Sequence, residues 1–455
     1  MVSTSADIGS PKIITNIDTI SVRRLIIAGV LCFIALIVAI IVGATGPEVY
    51  ESVSYNLYQC PDNIHIYSTN CTGSQLYPGS GPWSQYFDPI TSLNKFWALQ
   101  ATPYSNNLTT FTTEQVTFSV IIYDGQGNVV KSQNSTQTVV CNTGFGQCNT
   151  FTLIDEEDLE SMSYAVDISI VSENTTIVGD IDFDVWRNSS SFSSFEIVTH
   201  LTLLIISSIA IIGFLIAMRS FSLINWAFEQ KFLFALFFGI LLANNPFYGI
   251  QYATQGAFFP FLNAFFDVIF LSIFSLYSLM VLDRIRLESK KVEWDYSTIS
   301  KIVVVVIFMI LGLILFSWIN VRDRKDPIIG SATSESGIQA LFYLVATVFI
   351  CILLWILLLV ITAFPIAYAR QYLFAKYLFT AVPIVVFVIS ILIGIIAGTF
   401  GPLNPNSLSV MYFNVLNNVF VAIVAYSYWP NANPFHKGVM GSGEEQSLVY
   451  QDDEI

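Results

Sequence analysis

Eight stretches of this chain each hold about 20 apolar residues almost free of charge, the length that carries a helix across roughly 30 Å of hydrocarbon. The first runs from Leu25 to Val42, directly after Arg23 and Arg24; seven more fall near 198–218, 232–250, 258–282, 302–320, 339–363, 377–400 and 410–428. With 54% apolar and 11% charged residues, the composition also lies outside the range of a soluble globule. The expected class is an α-helical polytopic membrane protein with one N-terminal anchor and a seven-helix bundle. The first run has 18 residues, longer than the 7–15 of a cleavable signal core, and reads as a retained signal-anchor; cleavage after Ala44 is the alternative. In both cases the segment beyond it is translocated.

The segment between the first and second runs has a different chemistry. Residues 46–198 carry 17 Asp and Glu against Lys95, Lys131 and Arg187, so 3 − 17 = −14, the whole formal net charge of the chain. Such a surface repels nucleic acid and anionic headgroups; it favours basic partners or serves solubility. All five Asn-x-Ser/Thr acceptors fall here, at Asn70, Asn107, Asn134, Asn174 and Asn188, which places the segment in the secretory lumen or outside the cell. Four of the six cysteines, Cys60, Cys71, Cys141 and Cys148, are here too. An even set in an oxidising compartment reads as disulfides, with local pairing 60–71 and 141–148 favoured among three connectivities; a zinc site fits the spacing and the scattered histidines poorly. Cys32 and Cys351 lie in apolar runs and read as small hydrophobes.

Within this segment Tyr164, Val166, Ile168 and Ile170 alternate with Ala165, Asp167 and Ser169, and Ile181, Phe183 and Val185 alternate with Asp180, Asp182 and Asp184. Phe118, Val120 and Ile122 lead into a turn at Asp124-Gly-Gln-Gly127 and then Val129-Val130. Period-two alternation over short stretches predicts an antiparallel β-sandwich. The expected division is a cytosolic N-terminus over 1–24, the anchor over 25–45, the lumenal glycosylated domain over 46–197, the bundle over 198–428 and a cytosolic tail over 429–455. Cytosolic loops then hold Arg219, Lys231, Arg284, Arg286, Lys290, Lys291, Lys301, Arg370 and Lys376, as the positive-inside rule requires. The cluster Arg322, Arg324 and Lys325 opposes it.

Inside the spans, Asn263 and Asp267 share a helix face, as do Asn414 and Asn418, with Asn417 beside them. A carboxylate in hydrocarbon must be protonated, paired or facing a wet cavity, and asparagines there bond helix to helix or line a cavity. These five are the candidate polar cavity. Asn244-Asn245-Pro246 marks a helix end, and Pro383 a kink. His65, His200 and His436 are isolated, and no HExxH, GxSxG, Walker or GxGxxG pattern is present; neither an enzyme nor a cofactor is expected. In the tail, Glu444-Glu-Gln-Ser-Leu448-Val449 has the form of an acidic-dileucine sorting signal for trafficking adaptors, or is simply a solvated tail.

Leu242-Ala-Asn-Asn-Pro-Phe-Tyr248, Phe261-Leu-Asn-Ala-Phe-Phe-Asp-Val-Ile269, Lys376-Tyr-Leu-Phe-Thr-Ala381 with Val388-Ile-Ser-Ile391, and Ala425-Tyr-Ser-Tyr-Trp-Pro430 make the membrane half resemble the Wntless-like membrane proteins, its transmembrane protein 181 branch above all. The likeness covers roughly 198–430. It implies a seven-helix bundle akin to G-protein-coupled receptors, a lumenal sandwich of the Golgi-dynamics type, and residence in Golgi, endosomes or plasma membrane. It also implies a trafficking or cargo receptor for a secreted or lipidated protein partner, embedded in membrane lipid and without nucleic acid. A signalling receptor of the same helix count, and a channel or transporter using Asp267, are the competing classes.

Overall fold

The computed structural model describes residues 15–430 apart from 20–21, 60–71, 74–75, 77–80, 88–89, 92, 95–96, 106–110, 143–145, 157–162, 173–177, 255–257, 288–295, 324–335 and 397–405. Between the first and second long helices, ten strands form: β1 Tyr50–Asn56, β2 Tyr58–Gln59, β3 Thr72–Gly73, β4 Trp83–Phe87, β5 Trp97–Ser105, β6 Thr112–Asp124, β7 Val129–Cys141, β8 Phe151–Glu156, β9 Tyr164–Ile170 and β10 Val178–Asn188. They build two four-stranded antiparallel sheets, ordered β1-β10-β5-β8 and β4-β9-β6-β7, with β2-β3 a short ribbon. The sandwich expected from the alternation is therefore present. β9 buries Tyr164, Val166, Ile168 and Ile170 and turns Asp167 and Ser169 outward, because successive side chains of a strand point to opposite faces.

Rings from the two sheets meet in the interior. Trp83 of β4 stacks on Phe183 of β10 at 4.1 Å, and Trp97 of β5 on Tyr164 of β9 at 5.9 Å. These rings lie in one continuous apolar core with Leu99, Phe118, Val120 and Ile181. Truncating one of them, such as Phe183→Ala, costs about 3–5 kcal/mol through lost burial and the cavity left behind. Cys141, closing β7, is disulfide-bonded to Cys148. Cys60 and Cys71 lie outside the described residues, next to Gln59 and Thr72, which are register partners.

The helices are α1 Asn16–Thr19, α2 Val22–Ala44, α3 Ser190–Met218, α4 Phe228–Ala243, α5 Phe258–Leu287, α6 Tyr296–Asp323, α7 Ser336–Tyr368, α8 Gln371–Ile396 and α9 Ser407–Tyr428. Eight helices, α2 to α9, are long and apolar enough to cross a membrane. α4 stops at Asn244-Asn245-Pro246, where Asn245 takes a left-handed φ of 43°, a conformation Asn tolerates better than most residues, and the chain then turns through a 3₁₀ segment, Tyr248–Tyr252. Pro365 and Pro383 lie inside α7 and α8.

α5 is the central element: it packs against α4, α6, α7 and α8, and buries Phe270, Phe274, Tyr277 and Leu279. α9 packs against α2, α3, α4 and α8. The first apolar helix is thus part of the bundle. A Cβ on Gly43 would stand 2.7 Å from the Leu408 Cα, and one on Gly46 2.5 Å from the Ser407 Cβ, so only glycine permits this approach of α2 to the start of α9. The Ser407 hydroxyl donates to the Pro47 carbonyl. At the other end, Asn16 N–H donates to the Trp429 carbonyl at 3.0 Å and its amide to the Tyr426 carbonyl at 3.1 Å.

The helix expected from residue 198 starts at Ser190. Its first turns are polar because they belong to the junction with the sandwich, into which β1 and β10, paired from Tyr50↔Asn188 to Asn56↔Asp182, lead directly from α2 and α3. Asn94 donates to the Asn188 carbonyl at 2.6 Å, the Asn188 amide to Ser193 Oγ at 2.7 Å, and Ser193 Oγ to the Leu93 carbonyl at 2.6 Å. Glu51 accepts from Arg187 and, at 3.0 Å, from the Ser189 hydroxyl.

A polar seam and an open interior face

Polar groups inside a bundle must find one another, since lipid supplies no partners. The five cavity residues predicted from the sequence separate into three settings. Asn418 of α9 and Asn244 at the end of α4 form a reciprocal amide pair: Asn244 Nδ2 donates to Asn418 Oδ1 at 3.0 Å, and Asn418 Nδ2 to Asn244 Oδ1 at 2.9 Å. Asn244 Nδ2 also donates to Ser207 Oγ of α3 at 3.0 Å, so one side chain ties three helices. Asn414 turns its amide to its own helix, donating to the Val410 carbonyl at 2.9 Å.

Asn263 sits one turn nearer the sandwich than Asp267 and accepts from Asn245 Nδ2 at 2.9 Å, joining α5 to α4. Asn245 Oδ1 in turn accepts from the Phe247 N–H at 3.0 Å, which fixes the turn after α4. Beside this seam, His200 of α3 stacks on Tyr248 with centroids 3.9 Å apart, its Nδ1 3.3 Å from the Asn244 carbonyl. Tyr252 donates to Glu196, one helical turn before His200, at 3.0 Å. Glu196, His200, Tyr248 and Tyr252 are all buried. Sequence reasoning missed this group; the signal present was Glu196 and His200 four apart in the first turns of a span.

Asp267 is different. All other residues of α5 from Phe261 to Arg286 are buried or half-buried, and Asp267 alone is exposed. It lies seven residues, two turns, from Phe274, hence on the same face, and Phe274 meets Phe387 of α8 at 4.0 Å and Phe420 of α9 at 4.8 Å. The exposed carboxylate therefore points inward, into an opening between α5, α8 and α9 in the half of the bundle nearest the sandwich. Three phenylalanine rings floor that opening about 10 Å deeper, at 1.5 Å rise per residue. Asn417 of α9, half-buried one turn above Phe420, lies toward the same side. Among the described residues no side chain bonds to Asp267 or to Asn417. Ser390 of α8 and Tyr412 of α9, 2.6 Å apart, link these helices nearby.

At the far end of the bundle two acids gather the bases that the topological reading assigned to loops. Glu229 of α4, 6% exposed, binds Lys376 of α8 at 2.8 Å and Arg284 of α5 at 3.2 Å. Asp283 of α5 binds Arg286 at 2.6 Å and the fully buried Lys301 of α6, which also donates to Ser297 Oγ at 2.9 Å. Arg284, Lys301 and Lys376 are thus helix-end residues that join neighbouring helices, and Arg286 pairs within α5, in addition to marking sidedness. Arg324 and Lys325, the dissenting bases, lie outside the described residues.

Of the sequons, Asn134 is exposed in the edge strand β7, where a glycan has room. Asn188 departs from the expectation: it is 3% exposed, its amide spent on Ser193, and the folded junction leaves no space for a glycan. Asn70, Asn107 and Asn174 fall outside the described residues, as do Glu444, Leu448 and Val449 of the tail. Among the described residues no group of three His, Cys, Asp or Glu side chains could hold a metal ion.

Residues 189–432 match the family model of the Wntless-like transmembrane domain. Human transmembrane protein 181 is 24% identical over 458 aligned residues, which cover 96% of this chain and 92% of that protein.

Proposed function

Because the chain belongs to the Wntless-like transmembrane family, the model covering a little over half its length, we propose that it is a trafficking or cargo receptor of secretory-pathway membranes. It engages a secreted or membrane partner on the side of its β-sandwich. The observation that carries this reading is a coincidence of position. The inward-facing, unbonded Asp267 opens toward the same end of the bundle at which the acidic sandwich is attached.

The junction supports it physically. β1 is paired along its whole length with the Asp182–Asn188 part of β10, and the two strands adjoin α2 and α3, which both pack on α9. A load on the sandwich is therefore delivered to the helix that carries Asn417 and Asn418. A receptor built this way reads its partner with two surfaces held in fixed relation.

Quantitative proteomics of medium and cell surface, with and without the protein, tests the proposal. A receptor's loss strands a discrete set of secreted or surface proteins inside the cell; an unchanged secretome and surface proteome refutes it. A signalling receptor is the second reading, favoured by the ion-paired helix ends around Glu229 and Asp283, which could switch between two arrangements. Ligand-dependent G-protein activation is its discriminating measurement.

A further inference from the structure

We propose that the opening at Asp267 binds an amphipathic amine, a molecule whose single ammonium group sits against the Asp267 carboxylate while its apolar body lies over the Phe274, Phe387 and Phe420 rings. The inference rests on the receptor reading only in treating the opening as a ligand site, and it names that ligand's chemistry.

The first ground is charge. Glu229 and Asp283 are held by basic side chains and Glu196 by a tyrosine hydroxyl, whereas Asp267 has no partner among the described residues. A carboxylate in a low-dielectric interior is stabilised by a cation that arrives with the ligand. Among the described residues no base competes: the nearest in sequence, Arg284, lies more than four turns away on Glu229.

The second ground is the walls. On either side of Asp267, Phe270 packs against α4 at Gly239 and Val268 against α6 at Gly312, and Leu271, half-buried, lies one turn below Asp267 on the side of the opening. Phe413 of α9 is half-buried seven residues before Phe420, and hence on its face. An inorganic cation needs several oxygen ligands, more than the Asn417 amide beside these apolar walls supplies. An organic ammonium needs one counter-charge, and aromatic rings favour it further by cation–π attraction. The depth to the rings, about 10 Å, accommodates an apolar chain, and the Asn417 amide lies on the side of α9 facing this space. A lipid headgroup amine and a free hydrophobic amine share this chemistry.

The test uses the full-length protein in phosphatidylcholine nanodiscs, read by its thermal unfolding midpoint. One arm adds octylamine, with the neutral isostere 1-octanol beside it; the other builds discs with sphingosine or with neutral N-acetylsphingosine. The expected result is a rise of about 5 °C at saturation with at least one cationic member and none with its neutral counterpart. Octylamine alone active identifies a free amine, sphingosine alone a lipid, and either supports the proposal. The shift should vanish in Asp267→Asn and persist in Asp267→Glu. Leu271→Trp, which keeps the carboxylate and fills the space one turn below it, should also abolish the shift and decides the matter if Asp267→Asn fails to insert. No shift with either amine, equal shifts with the neutral analogues, or a shift retained in Asp267→Asn or in Leu271→Trp would overturn it. A changed secretome with no amine shift refutes this inference while leaving the receptor reading standing; an amine shift with an unchanged secretome does the reverse.

Discussion

Replacing Asn244 with alanine removes three interhelical hydrogen bonds at once, to Ser207 at 3.0 Å and the reciprocal pair with Asn418 at 3.0 and 2.9 Å. Side-chain hydrogen bonds between membrane helices average about 0.6 kcal/mol each, because the separated helices also find partners within the membrane. The three together give a loss of about 2 kcal/mol. The His200 contact to the Asn244 backbone carbonyl survives the substitution and adds nothing to the loss. Asn418→Ala removes the reciprocal pair, about 1 kcal/mol on the same scale, together with the intrahelical bond from its amide to the Asn414 carbonyl at 2.8 Å. Unfolding of the two single variants and the double variant by denaturant, in one detergent, closes a double-mutant cycle whose coupling term isolates the pair. The geometry predicts a coupling of about 1 kcal/mol. Additive effects, with coupling indistinguishable from zero, would show that the amides do not hold α4 to α9 and would refute the seam as a structural element.

Other perturbations have defined outcomes. Glu229→Gln leaves Lys376 and Arg284, respectively 30% and 23% exposed, free to turn to water, so its cost should be about 2 kcal/mol, below the 3–5 of a fully buried broken pair; thermal melts of the single variant and of Glu229→Gln with Lys376→Met measure it. Gly43→Val forces the Leu408 backbone away and should cost about 1–3 kcal/mol, seen as loss of a cysteine cross-link engineered between α2 and α9. At the β6–β7 turn, hydrogen bonds from the Asn128 side chain and from the Asn128, Gln126 and Gly127 backbone hold the Asp124 carboxyl below the usual carboxylate range. A depressed carboxyl stabilises above its ordinary value and loses that contribution as pH falls through the folded one. The amide protection factors of Gln126 and Asn128, exchange rates referred to the unstructured chain at the same pH, should therefore be steady above about pH 5 and fall below about pH 3.

Much of this architecture is written locally in the chain, and the features that escape a local reading are those that depend on distant partners. The eight spans are legible because uncharged length alone specifies them. β9 is legible because one face is buried and the other wet, so Tyr164 to Ile170 alternate without a break. β5 is not: seven of its nine residues are buried, with Ala101 and Pro103 in its middle, and a strand covered on both faces loses the period-two signature. β7, a polar edge strand with Lys131, Ser132 and Gln133, lacks the apolar half of that signature.

In the site, helical spacing places Asn414, Asn417 and Asn418 correctly on one side of α9, but it cannot divide them. That division is made by Asn244, 174 residues away in the chain from Asn418. The same limit hides the ion-paired helix ends, where Lys376 finds Glu229 across 147 residues, and the burial of Asn188 within a sequon. Asp267 stands out in the sequence because a carboxylate in an apolar helix is costly wherever it points. Its direction emerges only from the Phe274–Phe387–Phe420 contact.

The receptor proposal is tested most directly by labelling from the side of the sandwich. A peroxidase inserted at the exposed Gly125–Gln126 turn between β6 and β7 tags neighbours of the full-length protein in living cells, with Asp267→Asn as the matched comparison. The account predicts a small set of secreted or surface proteins that overlaps those stranded when the protein is absent, and that is depleted by Asp267→Asn. Labelling limited to abundant residents of the compartment, identical for both chains, would contradict it.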